Sequence, residues 1–274
     1  MIEAAPLSGR MRQGDAKLFA QACEKTQARG LLDWMESKGY DAETKVFGRE
    51  CAASVAAQNN DDLLIEMLAR DEKSVMRALD EDGTSPLQWA ASKIPARVAM
   101  ALMGAGMDPW LQSSRRASSV EIFANNAMPE ALEFALGMPC HQGPRQRLAI
   151  VQSSLVPWAS RISIRGQDMQ HRLECGKLLS AQGVDWACEG AGGWTPAMHA
   201  ACRSAWWVFE EFPEAAKGLA KPVSGTFMQS ESLDWLSLIE QGARPKGLAV
   251  VERAWMLLGN SNVSESPRSP RRGL

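Results

Sequence analysis

The residues in this chain with the widest chemical range are three histidines, His141, His171 and His199, and six cysteines, Cys23, Cys51, Cys140, Cys175, Cys188 and Cys202. Cys140 adjoins His141, and His171 and Cys175 stand one helical turn apart, so these four have the ligand types of a zinc site. Structural zinc needs four ligands closing on the ion, and neither pair has finger spacing, so no metal is expected. His199, between Met198 and Ala200, reads as a packed core residue, and no cysteine has a persuasive histidine partner for thiolate attack. The acidic pairs Asp61–Asp62 and Glu210–Glu211 are adjacent, so on a helix they diverge and read as solvated faces. AGGW (Ala191 to Trp194) lacks the GK[ST] of a phosphate loop, and there is no G-x-S-x-G elbow or HExxH pair. The reading is a chain with no catalytic residues and no cofactor. The alternative is a metal or catalytic site hidden in its irregular middle.

Composition narrows the classes further. The chain has 274 residues, 45% hydrophobic and 23% charged, which suits a globular protein rather than a disordered one. A net charge of −2 provides no basic field for nucleic acid or anionic lipid. Arg115-Arg116 sits at a turn, and the closing SPRSPRRGL reads as a solvated tail. No run of apolar residues has membrane-spanning length, and the first residues lack the apolar core of a signal peptide. Scattered cysteines fit buried thiols in a reducing compartment. A cytoplasmic monomer is expected, the alternative being export by a route that leaves no such signal.

The elements that would position any site repeat along the chain. From Pro86 in GTSPLQWAA, a step of 33 residues forward reaches Ser119 and a step of 34 back reaches Ala52. Ala56–Ala57 then match Ala90–Ala91, Ala124 falls where Ala91 fell, and Leu136 falls where Met103 fell. GWTPAMHAA (Gly193 to Ala201) repeats the opening phrase. Ser85 and Thr195 before Pro86 and Pro196 are helix caps, since proline at the first helical position gives up an N–H that had no partner. Small residues on the next turn admit a neighbouring helix, VAMALM continues as a second helix, and Gly106 permits a left-handed stop. One such unit cannot bury its apolar face alone, so units must stack.

This pattern resembles the ankyrin repeat, in which a hairpin-like turn precedes two antiparallel helices. The resemblance covers residues 15–258 and implies an all-α fold, an α-solenoid of stacked helix-turn-helix repeats with short hairpin-like turns. Residues 1–14 are expected to be a flexible terminus and 259–274 a disordered Ser/Pro/Arg tail. Irregular stretches are expected over about 140–190 and 213–230, with surplus length near 159–168 and a closing helix at VERAWMLLG. The family's motif histidine is replaced by Gln88 and Met198, which is expected to weaken bonding between neighbouring turns.

The resemblance implies a module that binds a protein partner, rather than nucleic acid or membrane, through its concave face and turn tips. A bacterial effector delivered to a host protein is the alternative. Carried onto this sequence, the variable positions include Asp82, Lys93, Arg115, Asn125 and Arg203, with Trp194 as the best anchor because tryptophan is favoured at hot spots. Trp110, at a turn, reads as either a plug between repeats or a contact. Trp89, Trp206, Trp207 and Trp235 lie in helical runs and are expected in the core.

Overall fold

A computed structural model describes residues 9–24, 28–93, 96–162, 168–190 and 193–220. Trp235, the stretch VERAWMLLG where a closing helix is expected and the Ser/Pro/Arg tail lie outside the described residues. The described chain is mostly helical and divides into two compact units, Met1–Ile150 and Val151–Leu274. No helix among the described residues is long and apolar enough to cross a membrane.

The first unit begins with α1 (Gln13–Glu24) and α2 (Ala28–Ser37), followed by an antiparallel hairpin of β1 (Lys45–Val46) and β2 (Glu50–Cys51). Then come α3 (Ala52–Asn59), α4 (Asp61–Arg70), a short α5 (Glu72–Arg77), α6 (Pro86–Ala90), α7 (Arg97–Gly104), α8 (Ser119–Asn125) and α9 (Pro129–Gly137). The three helices α3, α6 and α8 start at the residues that the 33- and 34-residue steps select. They pack in succession after α1, while α2, α4, α7 and α9 pack in succession as a second row. Each helix of one row also contacts its sequence neighbour in the other, as α3 does α4 and α8 does α9.

Small residues make the first row possible. Ala52, Ala53, Ala56, Ala57, Ala90, Ala91 and Ala124 are almost wholly buried, so backbones approach without a side chain between them. The second row supplies the bulk, with Leu63, Leu64, Leu102, Met103 and Leu132 buried. Such burial stabilises by roughly 25 cal/mol per Å² of apolar surface removed from water.

Where each helix starts is decided by its cap. Ser85 Oγ accepts from Gln88 N at 3.3 Å, and Gln88 Oε1 accepts from Ser85 N at 2.9 Å. Ser118 and Glu121 form the same reciprocal pair at α8. Asn60 caps α4 by accepting from Leu63 N at 3.0 Å, and its Nδ2 donates to Cys23 O at 3.1 Å, which ties α4 to the end of α1. After α7, Met107 N donates to Leu102 O and Gly106 N to Met103 O, a Schellman closure that needs the left-handed φ of +99° at Gly106.

Two expectations change. Gln88 does not weaken the bond between turns, because a glutamine amide has both a donor and an acceptor. While Oε1 serves the cap, Nε2 donates to Ala117 O in the next turn at 2.9 Å. The start of the chain is also ordered earlier than the 1–14 boundary: Lys45 N donates to Gly9 O, Met11 N donates to Lys45 O, and α1 begins at Gln13.

α10 (Pro144–Ser160), with Pro157 inside it, runs across the unit boundary. The second unit continues with α11 (Asp168–Ser180), α12 (Pro196–Cys202), α13 (Trp207–Glu211) and a 3₁₀ segment, Pro213–Ala220. Its core is aromatic. Trp158 is fully buried and meets Trp186, Trp207 and Phe212 edge-on at 5.8, 6.2 and 6.1 Å, and Trp186 stacks on Phe212 at 4.8 Å. Trp158 Nε1 donates to Arg172 O while the buried Arg172 guanidinium donates to Trp158 O, so α10 and α11 satisfy each other's polar groups.

Thr195 caps α12 as expected, accepting from Met198 N at 3.3 Å. Met198 completes the box only by sulfur, which accepts from Thr195 N at 3.5 Å. A thioether has no donor, so it cannot make the turn-to-turn bond that Gln88 makes. Thr195 Oγ1 instead donates to Gly218 O at 3.0 Å, and the 3₁₀ segment packs against α12. That approach requires glycine, since a Cβ at position 218 would lie 2.9 Å from Thr195 Oγ1 and from Trp186 O.

Thr195→Ala removes the cap and strands the carbonyl of Gly218. Urea unfolding should show a loss of about 1–3 kcal/mol, largely restored by Thr195→Ser.

Candidate functional site

Three turns of the first unit are bonded edge to edge. In the first, Asp80 N donates to Thr84 O at 2.9 Å and Gly83 N to Asp80 O at 3.0 Å, with φ +79° at Gly83. The β1–β2 hairpin joins it on one side, where Glu81 N donates to Arg49 O at 3.0 Å and Lys45 Nζ to Leu79 O. The turn Ser113–Arg116 joins it on the other: Ser114 N donates to Asp82 O at 3.3 Å, and Thr84 Oγ1 and Ser113 Oγ share a hydrogen bond of 2.9 Å.

These turns enclose a cleft of about 490 Å³ lined by Arg49, Glu50, Asp80, Glu81, Asp82, Trp89, Ser114, Arg115 and Arg116. Asp80 is buried beneath it, with Oδ1 accepting from Cys51 N at 2.8 Å and Oδ2 from Trp89 Nε1 at 2.9 Å. That pins the indole, and the Arg116 guanidinium lies 3.3 Å from its ring centroid. Burial holds Arg116 below the ordinary arginine value, against the pull of Asp80, Asp82 and Glu50, but an arginine so placed stays charged. Hydrogen bonding from Thr84, with the Arg115 guanidinium 3.4 Å away, holds Asp82 below the ordinary carboxylate value.

No family model matches this sequence, and no curated protein matches it.

The residues singled out from sequence fall in different places. Asp82 and Arg115 come together as an ion pair on the wall of the cleft. Lys93 is paired with Asp61 at 2.7 Å, and Asn125 lies half-buried at the end of α8. In the second unit Arg203 is exposed at the end of α12, and Trp194 is half-buried with its ring 5.0 Å from His199. Among the described residues no three His, Cys, Asp or Glu side chains converge as metal ligands.

Trp110 is not a contact. It is fully buried, with Nε1 donating to Met138 O at 3.3 Å and Arg147 4.7 Å from its ring, so it is the plug. Trp89 shifts the other way: Pro86, Leu87, Gln88 and Ala90 of its helix are buried, while its indole lines the cleft. Trp206 is half-buried, and Trp207, also half-buried, packs edge-on against Trp158 in the aromatic core.

Sequence reasoning named Arg116 only as half of an arginine pair at a turn, and it missed Phe47. Phe47 stands at the hairpin tip, 62% exposed and with φ +48°, two residues from Arg49. The signal was Gly48 inside KVFGREC, a turn between two short runs of strand-like alternation.

The two tryptophans should therefore separate in urea unfolding. Trp110→Ala should cost about 3–5 kcal/mol through a filled site left empty, and Trp89→Ala clearly less because its ring keeps solvent contact.

His199 gives a pH dependence. Burial, then Arg203, push it below its ordinary value of 6.5, so the folded state prefers the neutral ring. As pH falls below 6.5 the unfolded chain takes up the proton first, and the stability tied to neutral His199 is lost as pH falls through the folded value. Unfolding at about pH 7.5 and about pH 5.5 should show a drop that His199→Gln reduces.

Proposed function

We propose that this chain is a protein-binding module built as an ankyrin-like α-solenoid, which recognises its partner through turn tips and the ends of first-row helices. The observation that carries the reading is the cleft between three bonded turns, with Trp89 and Arg116 inside it and Phe47 exposed on the adjoining hairpin. Helix pairs starting 33 and 34 residues apart and packing row against row support the repeat assignment.

The chemistry favours binding over catalysis. Glu81 accepts from Arg10 at 2.8 Å, Asp82 is paired with Arg115, and Asp80 already accepts from two N–H groups. These carboxylates are committed to holding turns, which leaves aromatic and arginine surface for recognition, the types enriched at hot spots. Rim charges such as Arg49 and Arg115 steer encounter more than they set affinity. In the second unit, the corresponding positions are Trp194 and Arg203.

The full-length chain, immobilised and used to capture proteins from a cell lysate, should retain a partner that Phe47→Ala releases at least about tenfold faster, because an exposed anchor acts mainly on dissociation. A partner held undiminished by both Phe47→Ala and Trp194→Ala would place recognition elsewhere.

A further inference from the structure

Resting on the binding reading above, we propose that Arg116, backed by Trp89, is a receptor for the carboxylate of an Asp or Glu side chain on the partner protein. Most charged groups around the cleft already have a protein partner. Asp80 accepts from Cys51 N and Trp89 Nε1, Glu81 from Arg10, and Glu50 from Gln58 at 3.3 Å; Arg115 is paired with Asp82. Arg116 is different. Among the described residues its guanidinium donates no hydrogen bond and has no carboxylate within ion-pair distance, although the residue is half-buried.

Its position is set from behind. Arg116 N donates to Ser113 Oγ at 2.9 Å, Arg116 O accepts from Ser113 N at 3.1 Å, and the guanidinium rests against an indole that Asp80 holds. A guanidinium lodged on its face keeps the N–H groups along its edge, and that planar fork matches a carboxylate through two parallel hydrogen bonds. Because the stem and ring are already placed, little rotamer freedom remains to be lost on binding.

The walls select among anions. Glu50, Asp80, Glu81 and Asp82 line the same cleft, so a dianionic phosphate is repelled more than a singly charged carboxylate. The backbone argues for a side chain over a chain terminus. Terminal carboxylates are captured by nests of free amides, but here the amides of Ser113, Ser114, Arg115 and Arg116 are all donated within the protein.

The test is selection of a displayed random-peptide library on the full-length chain, followed by affinities for the chosen peptides made with blocked ends. The expected result is an Asp or Glu at one fixed position. Its replacement by Gln or Asn should weaken binding at least about tenfold, a loss no longer seen with Arg116→Gln. Arg116→Lys, which keeps the charge but not the fork, should bind between the two, and thermal melts should show both variants folded. Peptides bound equally by Arg116→Gln, peptides that gain affinity when phosphoserine replaces the acid, peptides that need a free carboxyl terminus, or no enrichment at all would each overturn the proposal. Binding lost in Phe47→Ala but indifferent to Arg116→Gln would reject the carboxylate receptor and leave the turn-tip reading standing. Indifference to both, and to Trp194→Ala as well, would reject both.

Discussion

The backbone amide of Cys51 and the indole N–H of Trp89 both donate to the carboxylate of Asp80, which is only 7% exposed. A buried donor left without an acceptor costs about 1–3 kcal/mol, so each bond is strongly favoured once the chain has folded around it. The consequence is geometric. One side chain in a turn ties the end of a hairpin to the outward face of the following helix. The hairpin cannot shift without uncovering an amide, and the indole cannot rotate without losing its acceptor. Arg116 then finds a fixed ring to lie against, and the cleft takes its form from that sequence of dependencies.

The surface ion pairs around it act differently. Arg10–Glu81 and Arg77–Glu43 join well-exposed groups, and solvent screening leaves such pairs little net stabilisation. They orient neighbouring turns more than they hold them. The main stabilisation of the first unit comes from alanine-lined contacts between first-row helices and leucine-rich contacts in the second row. The second unit uses another solution: a cluster of Trp158, Trp186, Trp207 and Phe212, with a glycine at 218 admitting a 3₁₀ segment against α12.

Gln88 and Met198 illustrate how a single position separates the two units. Both stand three residues before the end of the same small-residue phrase, and both close a capping box. The amide of Gln88 has a donor to spare for Ala117 O, so it links successive turns, whereas the sulfur of Met198 can only accept. The link in the second unit passes to Thr195, whose hydroxyl reaches Gly218 O.

Helix starts were legible in the sequence because they depend on local chemistry. Ser85-Pro86, Ser118-Ser119 and Thr195-Pro196 cap their helices through residues three positions on, and the small-residue spacing marks which face packs. Gly106 was readable for the same reason: its left-handed φ is a property of one residue. The destiny of each tryptophan was not. Trp89 sits in a small-residue run that looks like core, and Trp110 in a turn that looks like surface, yet the first lines a cleft and the second is buried. Which way an indole faces depends on acceptors far along the chain, Asp80 for one and Met138 O for the other. Arg116 gains its meaning only when the next turn lies beside Trp89, 27 residues earlier. Local caps and periodicity determined the elements, and long-range hydrogen bonds decided which of their side chains face outward.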